Sequence, residues 1–144
     1  MEPRQSDSSV RIGQLEIRFL IDETQSAGQV VMFEFVVPPR ARVPAPHYHR
    51  DVDELVYGLE GSLTTTIGQE KRTIGVGCSA YIPRGIVHHH ENLSGQLARV
   101  LCVMTPGSIG RRYFEEIAAE VNVPGKPDLA RIKEIMFRHG LVPA

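Results

Sequence analysis

Between residues 10 and 21 the apolar side chains alternate with polar ones, at Ile12 and then at Leu15, Ile17, Phe19 and Ile21. A period of two marks one face of a strand, and the slip at Gly13-Gln14 predicts a turn or bulge there. Gly28 closes a polar turn, and residues 30–37 are rich in β-branched and aromatic side chains, which predicts a well-buried strand. Pro38-Pro39 ends that strand, and Pro44 and Pro46 stiffen the connection that follows. Short strands are then expected at 47–50, 53–58, 62–67, 71–74, 78–82, 86–91 and 97–104. Gly58, Gly61, Gly68, Gly75, Gly77, Gly85 and Gly95 fall between them or near their ends. Strands at this spacing, with no helix between them, predict an antiparallel β-sandwich or barrel.

The period changes after residue 106. Phe114, Ile117, Ala118 and Val121 follow the i, i+3, i+4, i+7 spacing of a helical face, broken at Val123-Pro124-Gly125. A second helix is expected from Asp128, a suitable N-cap, through Leu129, Ile132, Ile135 and Met136 to Gly140. Both are expected to cover the outside of the barrel or its open end. Residues 1–9 are polar and expected to be loosely held.

Composition narrows the function classes. The 144 residues suit one domain, with a barrel core at about 10–105 and a helical tail at about 108–140. Sixteen basic and 17 acidic residues are spread evenly, so no basic face for a nucleic acid is indicated. No apolar run is long enough for a membrane span, and the polar start lacks the apolar stretch of a signal peptide, so a cytoplasmic address is expected. Two cysteines, Cys78 and Cys102, rule out a disulfide scaffold and are expected to be buried thiols. Signatures of phosphate loops, dinucleotide sites, zinc knuckles and serine-nucleophile elbows are absent.

Histidine is the unusual component, with five of the six, His47, His49, His88, His89 and His90, between positions 47 and 90. Imidazoles two apart on a strand share a face, so His47 and His49 point together. Glu54 follows after a short bend, with Asp53 as a competing carboxylate, and His88 comes just after the turn at Pro83-Arg84-Gly85. Three imidazoles and one carboxylate suit Fe(II), Mn(II), Ni(II), Cu(II) or Zn(II), and suit Ca(II) poorly. His90 shares the parity of His88, so it is a candidate proton shuttle facing the same cavity, whereas His89 and Tyr48 face away. Asn92 is expected to satisfy backbone groups. Phe33, Phe35, Val56, Tyr81, Cys102 and Met104 are candidate cavity-lining residues.

Two ordered motifs resemble those of the cupin superfamily. Gly77-x5-Pro83-x-Gly85-x2-His88-x3-Asn92 matches the second motif at every signature position, and His47-x-His49-x4-Glu54-x6-Gly61 matches the first from its first histidine onward. The leading glycine of the first motif is Ala41 here, a change expected to alter the loop more than the ligands. The resemblance covers about residues 28–105. It implies an all-β jelly-roll barrel, or double-stranded β-helix, with a divalent transition metal inside held by His47, His49, Glu54 and His88. The helical tail resembles that of small single-domain bacterial cupins similar to quercetin dioxygenase.

That resemblance implies a metal-dependent enzyme, foremost a dioxygenase using Fe(II) on an enolic, enediol or catechol-like small molecule. Glu54 would act as ligand and base, and His90 as a proton-transfer group. A non-redox isomerase, lyase or decarboxylase and a non-enzymatic small-molecule or metal-binding module are the alternatives. The alternating segment 10–21 would protect a barrel edge in a neighbouring subunit, so a homodimer is expected.

Overall fold

A computed structural model describes residues 9–144. The expectation for residues 1–8 lies outside the described residues, and Ser9 already belongs to the first strand. In chain order the elements are β1 (Ser9–Ile12), β2 (Leu15–Ile21), β3 (Val31–Val37), β4 (His47–His49), β5 (Asp53–Glu60), β6 (Leu63–Ile67) and β7 (Glu70–Ile74). They continue with β8 (Ser79–Ile82), β9 (His88–Glu91), β10 (Ala98–Thr105), α1 (Arg111–Val121), α2 (Leu129–Arg138) and β11 (Leu141–Pro143). The strands form two antiparallel sheets, ordered β1-β2-β3-β10-β5-β8 and β11-β4-β9-β6-β7. This is the β-barrel architecture with two short helices that the strand pattern predicts.

Burial follows the pleat. Along β10, Ala98, Val100, Cys102 and Met104 are buried while the residues between them are partly exposed, as alternation requires. β3 is flanked by β2 and β10 and is buried at six of its seven positions, which explains its nearly continuous apolar run. The slip at Gly13-Gln14 is the turn of the β1–β2 hairpin, with Ile12 opposite Leu15. Within segment 10–21, β2 pairs with β3, and β1 packs against α1.

The motif glycines have steric causes. Gly61 has φ +62°, and a Cβ there would lie 2.2 Å from the Leu97 carbonyl oxygen. Ala41, where a motif glycine would stand, needs no such freedom because the neighbouring Arg40 takes the positive φ of 56°.

α1 is set by a partner far away in sequence. Its N-cap, Gly110, has no side chain to cap with, and Glu23 from the β2–β3 loop accepts from the Arg111 amide at 2.9 Å and the Arg112 amide at 3.4 Å. A Cβ on Gly110 would overlap that carboxylate. Held there, α1 turns Tyr113 and Ile117 inward, and Phe114 packs edge-on against Phe19 and Phe33. α2 begins at the expected N-cap, Asp128, which accepts from the Arg131 amide.

β11 was not expected from the sequence. It runs along β4 with Leu141 opposite His49, Val142 opposite Tyr48 and Pro143 opposite His47. The Arg50 amide donates to the Gly140 carbonyl at 2.8 Å, and the Ala144 amide to that of Pro46 at 3.0 Å.

Two side-chain expectations are corrected. Tyr81 does not line the interior: on β8 the buried positions are Ala80 and Ile82, and Tyr81 stands on the outer face beside Leu55. Cys78 is exposed, because it sits in the turn before β8 rather than on the strand, and both cysteines are free. No helix among the described residues is long and apolar enough to cross a membrane.

Candidate metal centre

His47 and His49 come from β4, His88 and His90 from β9, and Glu54 from β5, so both sheets contribute to the cluster. His47 lies directly opposite His88 in the β4–β9 ladder. The rings of His47 and His49 are both 4.7 Å from that of His88, centroid to centroid, and 5.3 Å from each other. Ligand atoms of His47, His49 and His88 lie within 4.8 Å of one another, and so do those of Glu54, His88 and His90. Glu54 Oε2 is 3.4 Å from His88 Nε2. His88 belongs to both groups and so links His47 and His49 on one side to Glu54 and His90 on the other.

Backbone carbonyls fix the imidazole tautomers. His47 Nδ1 donates to the Ala45 carbonyl at 2.8 Å, and His88 Nδ1 to that of Ile86 at 3.1 Å. A carbonyl can only accept, so Nδ1 carries the proton and the Nε2 lone pair is left free to bind a metal. His90 Nδ1 is 2.9 Å from the Thr65 hydroxyl.

Burial keeps these rings neutral. It lowers the pKa of His47, brings His88 to about 4, His90 to about 3 and His49 to about 2, and the neighbouring imidazoles add to the effect. The same burial raises Glu54 to about 7, opposed in part by the neighbouring Cys102 thiol. Cys102 keeps its proton, since burial and the adjacent Glu54 push its pKa well up.

His49 Nδ1 and Glu54 Oε2 are buried without any hydrogen-bond partner. Such orphans are costly unless something satisfies them. A divalent cation among neutral imidazoles and one carboxylate would do so, and the donor set fits a transition metal. Asp53 is not part of the set: it faces outward and accepts from the Arg84 amide at 2.9 Å and its guanidinium at 3.1 and 3.2 Å. His89 also faces away, toward Glu91. Asn92 has the expected structural role, its amide donating to the Val37 and Gln96 carbonyls and its oxygen accepting from Ser94.

The cluster opens into a cavity of about 80 Å³. Its walls are Phe33, Phe35, Met104, Ile109, Tyr113, Phe114 and Leu141, together with Ile12, Leu15 and Ile17 of the first hairpin. Among the described residues no Lys or Arg lines it. Val56 is buried in the core but does not line this cavity. Sequence reasoning missed Thr65, Tyr113 and Leu141 as contributors. Thr65 carried a weak signal, as a polar residue in a strand with the parity of Leu63.

Residues 33–104 match the family model described as the cupin domain. The chain is a cupin. Among solved structures this cupin is similar to the polyketide cyclase RemF from Streptomyces resistomycificus, at 30% identity over 73% of this chain and 78% of that one, with a TM-score of 0.61. A predicted oxalate decarboxylase from Thermotoga maritima, 20% identical over 74% of this cupin and 99% of that chain, has a TM-score of 0.65 and shows the shared fold. An uncharacterized protein of Aquifex aeolicus (strain VF5) is 33% identical over 66 residues, 46% of this cupin, and the match spans only 54% of that relative's length.

Proposed function

We propose that this cupin is a metal-dependent enzyme acting on an uncharged, largely apolar small molecule that carries an enolic or phenolic oxygen. One observation carries the reading: buried, neutral nitrogen donors and a carboxylate line an apolar cavity that has no cationic side chain among the described residues. Such walls favour aromatic or aliphatic ligands and offer nothing to a sugar phosphate or a free carboxylate. His47, His49, Glu54 and His88 would hold the ion. When bound, it would supply Lewis acidity toward a substrate oxygen.

The protein's own groups would hold the substrate. His90, kept neutral by burial and backed by Thr65, would have Nε2 available to accept a hydrogen bond from an enolic or phenolic hydroxyl and orient it. The aromatic walls would orient the ring and exclude water. Chemistry that needs no O₂, such as cyclisation, isomerisation or lyase chemistry, would ask only that the ion polarise one substrate oxygen. The similarity to a polyketide cyclase agrees with an apolar, polyoxygenated substrate.

The dioxygenase reading is the second one, with Fe(II) as the suited ion. It is favoured by the donor set of three imidazoles and one carboxylate, which leaves two octahedral positions open when His90 stays off the metal. Protein purified anaerobically without an affinity tag decides between them. Metal content is compared for the unaltered chain and His49→Ala, and turnover of a panel of phenols, enols and catechols is followed with and without O₂. Substrate consumption that ignores oxygen and tolerates Zn(II) supports the first reading, and O₂ uptake coupled to consumption supports the second. Equal metal in both proteins overturns the site.

A further inference from the structure

Outside the histidine and carboxylate cluster, one hydroxyl belongs to the cavity among the described residues. Tyr113, on the inward face of α1, lines the cavity and is only 7% exposed. Its ring packs edge-on against Phe114, with centroids 5.1 Å apart, and against His139 at 5.4 Å. Those contacts hold the ring, but no hydrogen bond from the described residues reaches the phenolic oxygen. The buried side-chain atoms that lack a partner and are closed to solvent are Glu34 Oε2, His49 Nδ1 and Glu54 Oε2. The Tyr113 oxygen is not one of them, so it is unpartnered yet still open. A buried tyrosine hydroxyl usually finds a partner, because desolvating it unpaired is costly. Beyond the cluster and Cys102, the other lining side chains are hydrocarbon or thioether, so the wall supplies none. Burial also pushes the Tyr113 pKa well up, which keeps the group a protonated donor.

We propose that Tyr113 is a substrate-orienting residue, whose hydroxyl donates a hydrogen bond to a second oxygen of the ligand, distinct from the oxygen held at the metal centre. This rests on the reading above, that a small molecule with an enolic or phenolic oxygen enters the cavity. It narrows the substrate class to hydroxy-carbonyl compounds, since a carbonyl oxygen can only accept and the free group on the wall is a donor. A ligand with a single oxygen would leave the Tyr113 hydroxyl unpaired in an apolar wall. A ligand with both oxygens satisfies both polar points. Tyr113 stands on α1 and the cluster on β4, β5 and β9, so two attachments on separate elements fix the direction in which a flat molecule lies.

The test uses the full chain loaded with Zn(II) and reads binding by calorimetry. The probes are 2-, 3- and 4-hydroxyacetophenone, each beside the ethylphenol of the same size that lacks the carbonyl. At least one hydroxyacetophenone is expected to bind roughly tenfold more tightly than its ethylphenol, and Tyr113→Phe is expected to remove that advantage while leaving the ethylphenol within about twofold. Tyr113→Phe keeps the ring and its packing. Since the lost hydroxyl has no partner within the fold, the melting temperature without ligand is expected to hold or rise. An advantage that survives in Tyr113→Phe overturns the proposal, and so does the absence of any advantage in the unaltered chain. Equal weakening of both members of a pair overturns it too, because Tyr113 would then only shape the cavity. A melting temperature lowered by several degrees would show that the hydroxyl is already used within the fold, with the same result. If Zn(II) loads but the unaltered chain binds none of the six compounds, the small-molecule reading itself falls, and the proposal with it. Failure to load Zn(II) would overturn the metal centre as well.

Discussion

The Thr65 hydroxyl lies 2.9 Å from His90 Nδ1, across the β6–β9 ladder in which the two residues are directly opposed. This contact occupies one ring nitrogen and leaves Nε2 for the cavity. His90→Ala is therefore expected to keep near-stoichiometric metal but lose roughly 10- to 100-fold in turnover, as loss of a group that orients the substrate hydroxyl would. Thr65→Val should cost less, roughly tenfold. Metal analysis beside the rate is the check, and metal lost in His90→Ala would make His90 a ligand.

His49 has the opposite expectation. It is buried, its Nδ1 has no partner, and it shares a ligand group with His47 and His88. His49→Ala should abolish stoichiometric metal while leaving the barrel folded, because the ring contributes little to the apolar core. Elemental analysis with far-ultraviolet circular dichroism reads both halves of this expectation.

The pH dependence of the metal-free protein follows from the shifted groups. His49, His88 and His90 take protons in the unfolded chain near 6.5 but in the folded chain only at about 4 or below. The unfolded state thus binds more protons below pH 6.5, and their contribution to stability is lost as pH falls. Glu54 acts the other way: it loses its proton near 4.5 when unfolded and near 7 when folded, so its contribution is lost as pH rises through that window. His47 is lowered as well, so four imidazoles outweigh one carboxyl across the acid range, and close to neutrality and above the two effects nearly cancel. Melting temperature in excess chelator should therefore fall as pH drops below the ordinary histidine range and level off on the alkaline side of neutrality. A melting temperature that holds or rises on acidification through that range would show the imidazoles titrating at their ordinary value.

Gly61 and Gly13 separate two reasons for a glycine. Both have positive φ, +62° and +59°, but a Cβ at Gly61 would strike the Leu97 carbonyl whereas one at Gly13 meets nothing within 4 Å. Gly13→Ala should cost about 1 kcal/mol, the backbone penalty alone, and Gly61→Ala clearly more. Urea denaturation of the two variants measures the difference.

The strand that carries His47 and His49 is only three residues long and meets β9 at a single opposed pair, His47 with His88. Its other neighbour, β11, matches all three of its residues. Removing residues 141–144 is expected to weaken metal binding roughly tenfold or more while most of the barrel stays intact. Chelator competition on the shortened chain tests this.

The residues differ in how legible they were. His47, His49, Glu54 and His88 could be read because strand parity and two tight turns, both local properties, decide where they point. His90 followed from His88 by the same parity. Tyr81 was misjudged because an aromatic residue in a strand looks interior by type, while the pleat of β8 turns Ala80 and Ile82 inward instead. β11 escaped notice because three residues, one of them proline, show no alternation. The Glu23 cap on α1 and the Thr65–His90 contact join residues far apart in sequence, and no local pattern announces such a pairing.

The β4–β11 ladder also constrains the order of events during synthesis. A ribosome makes β4 early, but β11 appears only after both helices, so the metal strand waits for nearly the whole described chain before its partner exists. Ion capture by a nascent chain would meet His47 and His49 on an unsupported strand. Loading would then follow the pairing of β11 with β4, as a late step that reports a correctly closed barrel.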